Sequence, residues 1–237
     1  MLSLEKTVKA DDAVETITKF FNDLIGAWVP GLILAIGLVV MHLGPCDLKS
    51  LARFSDSAGV ALTAAGVLFA LGHLLLAVNE IAVKPLLSYL KIIGAFDEAK
   101  SRLRQSYKLF GELVSSQQGG DPSVWQFHDL RSVALSISDE AALLGRRFMF
   151  VSLLCSGVGT GLLLIGIDYL VCLIFLPELL YKYDRVAPWG LQAILIFGSA
   201  VFLFKQADMF YARAMNTPFS VAFAELKFKR SLNVTSP

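Results

Sequence analysis

The sequence predicts an all-α, polytopic membrane protein with four transmembrane helices, and its apolar runs and composition support this fold class. Phe148–Ile167 contains twenty consecutive residues without a charged side chain, and the apolar run continues to Leu176. Crossing a hydrocarbon core of ~30 Å takes about 20 apolar residues in a helix. The chain is also 55% hydrophobic and 17% charged, with a mean hydropathy of +0.62. Soluble domains are about 45–50% apolar and about 25% charged, so both the hydrophobic and the charged fraction favour a membrane protein.

The N-terminal part is predicted to consist of a lead-in helix over residues 1–23 and a first span over residues 24–43. The first residues are too polar and acidic for a secretory signal peptide, so we expect the first span to be retained in the mature protein. Pro30-Gly31 lies inside this span, where the missing backbone donor permits a kink if neighbouring groups bind the freed carbonyl.

Small residues on two spans predict close helix packing. The second span, over residues 58–78, carries Gly66 and Ala70 on a small-residue seam, and the central third span carries Gly157 and Gly161. Small residues let the backbones of transmembrane helices approach closely. We therefore expect these four residues to be helix-packing positions, and a homo-oligomer would use the same kind of seam.

The connection over residues 79–147 is predicted to form a helical domain. An apolar stripe indicates a helix from about Asp97 to Ser116, and the following Gln117–Pro122 has the composition of a turn. The residues of this stripe are Leu103, Tyr107, Phe110 and Val114. A second stripe leads into the central span and comprises Trp125, Leu130, Val133, Ile137, Ala141 and Leu144. Two amphipathic helices joined by a turn predict a helical hairpin or bundle.

The fourth span is predicted over residues 187–204, and a helical tail follows over residues 205–237. Thr217-Pro218 has the residue types of an N-cap followed by the first helical position. We therefore expect a separate amphipathic helix to begin there, with its large apolar side chains facing inward.

The distribution of positive charge predicts the topology. Of the 21 lysines and arginines, 17 lie in residues 1–23, 79–147 and 205–237, and four lie in the loops 44–57 and 177–186. Cytoplasmic segments are enriched in lysine and arginine. We therefore expect an integral inner (cytoplasmic) membrane protein with both termini inside (N-in/C-in) and a cytoplasmic helical domain between spans two and three.

Three ionisable residues in the predicted spans are functional candidates, because ionisable groups are costly in a membrane. His73 either bonds to a neighbouring helix as a neutral side chain or acts as a switch that responds to pH or a ligand. His42 and Asp168 fall near the outer ends of spans one and three. The two would meet as a buried pair or as an outer-vestibule site, unless Asp168 simply reaches water.

Charged residues near the inner face give two further candidates. Glu80 ends the second span where Arg146 and Arg147 begin the third, so we expect an ion-pair clamp there. The other candidate is a basic run that either binds anionic headgroups or an acidic partner surface, or forms a solvated helix face. The residues of this run are Lys100, Arg102, Arg104 and Lys108.

Neither catalysis nor a metal or cofactor is predicted. The sequence lacks a phosphate loop, a nucleophile elbow and a dinucleotide-binding turn. The histidines at positions 42, 73 and 128 fall in different predicted compartments, and the three cysteines have neither disulfide nor metal spacing. A net charge of +1 argues against direct binding of nucleic acid.

The expected function is that of a non-enzymatic inner-membrane sensor or scaffold subunit whose cytoplasmic helical domain binds a soluble protein partner. A bacterial two-component system, such as an anti-phage defence system, would suit this layout. The alternative is an oligomeric ion channel or membrane-permeabilising effector, with His73, Asp168 or Glu80 lining the path. The nearly apolar spans argue against a water-filled path.

Overall fold

A computed structural model describes residues 25–47, 58–94, 96–118, 125–182 and 188–234, and of residues 117–118 and 229–234 it describes the backbone only. All regular structure among these residues is helical. The predicted lead-in helix over residues 1–23 lies outside the described residues, as does most of the turn predicted at Gln117–Pro122.

The described residues form eight α-helices: α1 (Ile25–His42), α2 (Ala58–Val78), α3 (Lys84–Tyr89), α4 (Glu98–Arg102), α5 (Gln105–Gln118), α6 (Phe127–Ile137), α7 (Asp139–Phe175) and α8 (Trp189–Val234). A π-helix at Asn79–Val83 joins α2 to α3. Short 3-10 helices occupy Pro45–Asp47 and Pro177–Leu179. Four helical stretches are long and apolar enough to cross a membrane: Ile25–His42, Ala58–Tyr89, Asp139–Phe175 and Trp189–Phe228. The prediction of an all-helical protein with four such helices is therefore confirmed.

The helices divide into two compact units. The first unit contains the described residues of Met1–Ile93 and Leu153–Gln206, and the second contains those of Gly94–Ser152 and Ala207–Pro237. Both units are therefore built from two separate stretches of the chain, and α7 and α8 each contribute residues to both.

In the first unit, α1 and α2 pack with their backbones in direct contact. A Cβ atom built on Gly31 would collide with the backbone carbonyl of Leu68, and one built on Gly72 would collide with that of Ala27. Only glycine permits such an approach, which is how small residues bring membrane helices together. Pro30, fully buried in α1, lies against Gly157 of α7 in the same unit.

The second unit is built around a cluster of aromatic rings. Phe110, Phe127 and Phe219 are fully buried, and the Phe127 and Phe219 ring centroids lie 5.3 Å apart. Tyr107 stacks on Phe127 at 5.6 Å, and Phe96 lies at the same distance on a tilted ring. Because Phe219 comes from the C-terminal stretch, the tail and the central connection share one core.

The first helix predicted in the connection is divided in two. α4 ends at Arg102 and α5 begins at Gln105, so the intervening residues interrupt the helical phase. Tyr107, Phe110 and Val114 face the core as predicted. The prediction that Leu103 lines the same helix face as these residues is wrong, because it lies at the break and is 70% exposed.

The second predicted stripe is also interrupted, at Ser138, before it continues into α7. The Ser138 side chain is fully buried, and its Oγ accepts a hydrogen bond from the backbone N–H of Ala141 at 3.1 Å. This is the geometry of an N-cap. Leu130 and Ala141 are buried as the stripe predicts, but Ile137, next to the break, is 41% exposed.

The prediction that a separate helix begins at Thr217-Pro218 is wrong, because α8 runs through Pro218 without a break. Proline lacks the N–H that would donate to the carbonyl of Ala214. Nη2 of Arg131, on α6, donates to that carbonyl at 3.3 Å instead. Burial lowers the pKa of the Arg131 guanidinium, because desolvation disfavours the charged form. A neighbouring helix thus supplies the donor that the proline lacks.

Candidate functional site

At one end of the first unit, the last residue of α1 meets α7. His42 Nε2 lies 2.7 Å from Asp168 Oδ2, and His42 Nδ1 lies 3.0 Å from the backbone carbonyl of Leu179. The structure therefore brings together two of the predicted intramembrane polar residues. Both side chains are partly exposed, at 27% for His42 and 37% for Asp168. Both ring nitrogens of the histidine face oxygen atoms, so its position is fixed from two sides.

A cysteine joins this pair. Cys172 lies one helical turn beyond Asp168 on α7 and is buried, with its Sγ 3.8 Å from Asp168 Oδ1. One ligand atom from each of His42, Asp168 and Cys172 lies within 4.8 Å of the other two. We call these three residues the His–Asp–Cys cluster. Sequence reasoning found its histidine and aspartate but treated the cysteine as isolated, although the four-residue spacing of Asp168 and Cys172 places them on one helix face.

A tight turn after α1 helps to fix the His–Asp–Cys cluster. Gly44 has a φ of +96°, which favours glycine, and a Cβ atom there would press into the ring of Tyr181. The backbone N–H of Tyr181 donates to the carbonyl of Met41 at 2.9 Å. The segment that presents the Leu179 carbonyl is therefore bonded directly to the end of α1.

A second polar point lies in the interior of the first unit. Asn79 begins the π-helix and is buried, and its Oδ1 accepts a hydrogen bond from Thr160 Oγ1 at 3.3 Å. Single-turn π-helices of this kind are frequent at functional sites. Sequence reasoning ended the second span at residue 78, immediately before Asn79. Instead, the helical path continues to Tyr89, because the wider turn accommodates the extra residue without ending the helix.

The remaining predicted polar residues lie apart from the His–Asp–Cys cluster. His73 is exposed on α2, with its ring against that of Phe69 at 4.4 Å. Glu80 pairs with Lys84 at 3.0 Å, one turn further along the chain. Arg146 and Arg147 belong to the second unit, so their clamp with Glu80 stays a prediction.

The four predicted helix-packing positions differ in their surroundings. Gly157 and Gly161 are buried, and a Cβ atom on Gly157 would lie 2.7 Å from Pro30 Cγ. Gly66 and Ala70 are exposed, and a Cβ atom on Gly66 would meet no described atom within 4 Å. Within the described chain, no other helix therefore packs against the seam predicted on α2 at these two residues.

The predicted basic run lies on the surface of the second unit. Arg102 pairs with Glu98 at 2.7 Å, and Lys100 lies 3.8 Å from Asp97. Arg104 and Lys108, one turn apart on the chain, are both exposed, and Arg104 directly follows the exposed Leu103 in the sequence. We call this surface, consisting of Lys100, Leu103, Arg104 and Lys108, the Leu103 patch.

Sequence reasoning identified the cations of the Leu103 patch but placed its leucine on one apolar stripe with Tyr107, Phe110 and Val114. The combination is chemically specific, because an apolar side chain stands beside cations at a break between two helices.

Comparisons with protein-family models, with curated proteins and with solved structures return no match.

Proposed function

We propose that the protein is a non-enzymatic inner-membrane scaffold or sensor subunit, and that its second unit binds a soluble protein partner on the cytoplasmic side. In this proposal both termini lie inside (N-in/C-in), as the excess of lysine and arginine outside the short loops indicates. An anti-phage defence system is one setting in which such a subunit would work.

The Leu103 patch carries the proposal. Leu103, at 70%, is the most exposed large apolar side chain among the described residues of the second unit, followed by Phe228 at 65% and Leu143 at 60%. Covering an exposed leucine gives about 1.5–3 kcal/mol of favourable transfer free energy. The neighbouring cations favour an acidic rim on the partner, and complementary charge raises the rate and specificity of association. A soluble protein with an apolar pocket and acidic edges fits this surface.

We expect the triple variant Leu103→Ser, Arg104→Glu, Lys108→Glu to lose at least tenfold in capture of its soluble partner. The measurement is quantitative affinity capture with the detergent-solubilised full-length protein from its native host. Capture by the wild type should also weaken as salt rises, because surface charges are screened. The matched control is Lys227→Glu, which reverses an exposed charge elsewhere in the second unit. Equal capture by the triple variant and this control would contradict the proposal.

The exposed face of α2 supports a homo-oligomer. Gly59, Gly66 and His73 recur every seven residues, so they share one helix face, and all three are exposed. An ionisable side chain facing lipid is costly, whereas a second copy would cover it and supply a polar partner.

We expect Gly66→Leu to dissociate this oligomer, because a leucine would hold the two α2 backbones apart. The measurement is the molar mass in detergent by light scattering. The matched control is Gly198→Leu on α8, where a Cβ atom also meets no described atom within 4 Å. If the wild type is a monomer, or if Gly66→Leu keeps the wild-type mass, α2 is not the interface.

A further inference from the structure

We propose that the His–Asp–Cys cluster is a binding site for a divalent transition-metal ion of the zinc class. The site goes beyond the scaffold function, and its test in detergent does not depend on the topology or on a protein partner. The ligands would be His42 Nε2, one carboxylate oxygen of Asp168 and Cys172 Sγ.

The arrangement of the histidine is that of a metal ligand. A metal-bound histidine usually donates its other ring N–H to a carbonyl or a carboxylate, which fixes the tautomer. His42 Nδ1 lies 3.0 Å from the Leu179 carbonyl, so a neutral ring that donates Nδ1–H to this carbonyl carries its lone pair on Nε2. That lone pair faces Asp168 Oδ2 at 2.7 Å. Two lone pairs at this distance repel each other unless a positive group lies between them.

The cysteine distinguishes a metal ion from a shared proton. A proton would satisfy the His42–Asp168 pair without a third group, but the buried Sγ of Cys172 also points to within 3.8 Å of Asp168 Oδ1. Thiolate, imidazole and carboxylate together are ligands that zinc accepts, and three protein ligands leave a fourth position for water. A thiolate disfavours Mg²⁺ and Ca²⁺, which prefer oxygen ligands.

Charge and geometry are both compatible with such an ion. A carboxylate and a thiolate neutralise a divalent cation, so the filled site carries no net charge at the boundary of the membrane. The thiol proton passes to water when the metal–sulfur bond forms. Around one zinc ion the nitrogen and oxygen ligands lie roughly 3.3 Å apart, so the pair must open by roughly 0.6 Å. Small rotations of two partly exposed side chains supply this movement.

The test is a titration of the reduced full-length protein in detergent with Co²⁺, a spectroscopic probe of zinc sites. We expect one Co²⁺ per chain, visible d–d bands of a four-coordinate ion and a near-ultraviolet thiolate-to-cobalt charge-transfer band. Zn²⁺ should displace the Co²⁺ and abolish these bands. Cys172→Ser should lose the charge-transfer band and at least tenfold in affinity, and His42→Gln should lose at least tenfold in affinity.

The matched controls are Cys155→Ser on the same helix and Cys46→Ser on the exposed turn after α1, both of which should keep the complete spectrum. Cys172→Asp replaces one ligand by another, so it should keep the d–d bands and lose only the charge-transfer band. This variant decides the matter if Cys172→Ser fails to fold. The proposal is overturned if the folded wild type shows no charge-transfer band, or if the band survives in Cys172→Asp.

Discussion

Replacing Phe127 by alanine is expected to destabilise the second unit by about 3–5 kcal/mol, the usual cost of removing a buried phenylalanine ring. The ring is fully buried and contacts the rings of Phe96, Tyr107 and Phe219. Such aromatic pairs contribute about 0.5–1.5 kcal/mol each beyond the area they bury. Phe127 also joins α6 to both α5 and α8, so its loss weakens all three contacts in the core.

Native-state hydrogen exchange of the full-length protein measures this effect. Amides of α5 and α6 that exchange through opening of the unit should exchange roughly 10²–10⁴-fold faster in Phe127→Ala, since 1.4 kcal/mol corresponds to tenfold. Phe228→Ala is the matched control, because that ring is 65% exposed and its removal should change exchange little. Equal protection in the two variants would show that Phe127 does not hold the core together.

Replacing Gly72 by leucine is expected to disrupt the first unit by more than the ~1–3 kcal/mol of ordinary overpacking. A Cβ atom at this position would collide with the carbonyl oxygen and the carbonyl carbon of Ala27 and would press against its Cα. All three are backbone atoms. A neighbouring side chain could rotate aside, but the backbone of α1 can yield only if the two helices separate.

Thermal unfolding in detergent measures the consequence. We expect Gly72→Leu to lower the Tm strongly or to prevent recovery of monodisperse protein, whereas Gly198→Leu should behave as the wild type because its surroundings are open. A Gly72→Leu protein with an unchanged Tm would mean that α1 and α2 do not pack in this way.

The membrane-spanning helices could be predicted from the sequence because their signal is local. The uncharged run beginning at Phe148 has to be helical to satisfy its backbone in lipid, whatever lies around it. The last α-helical residue of α2, Val78, also matches the predicted boundary. The continuation past Asn79 was missed, because a π-helix is stabilised by buried contacts such as that with Thr160, which no local pattern reports.

Tertiary contacts explain the other differences. Pro218 looked like the start of a helix because the donor that compensates for it, Arg131, lies 83 residues before the Ala214 carbonyl to which it donates. Gly31 and Gly72 were not predicted as helix-packing positions, because a glycine's role in packing depends on which backbone faces it. The meeting of His42 with Asp168 was predicted although 126 residues separate them, but Cys172 was not connected with the pair, although it lies only four residues after Asp168.

Side-specific cysteine labelling tests the central claim, that the second unit lies in the cytoplasm of a protein anchored by membrane helices, most directly. The native Cys46 is exposed on the turn after α1, and Lys108 is exposed in the Leu103 patch. With a membrane-impermeant maleimide on intact spheroplasts, the account predicts that Cys46 of the wild type is labelled. In the variant Cys46→Ser, Lys108→Cys, labelling should appear only after the membrane is permeabilised. Labelling of the Lys108→Cys variant in intact spheroplasts, with Cys46 protected, would contradict the account.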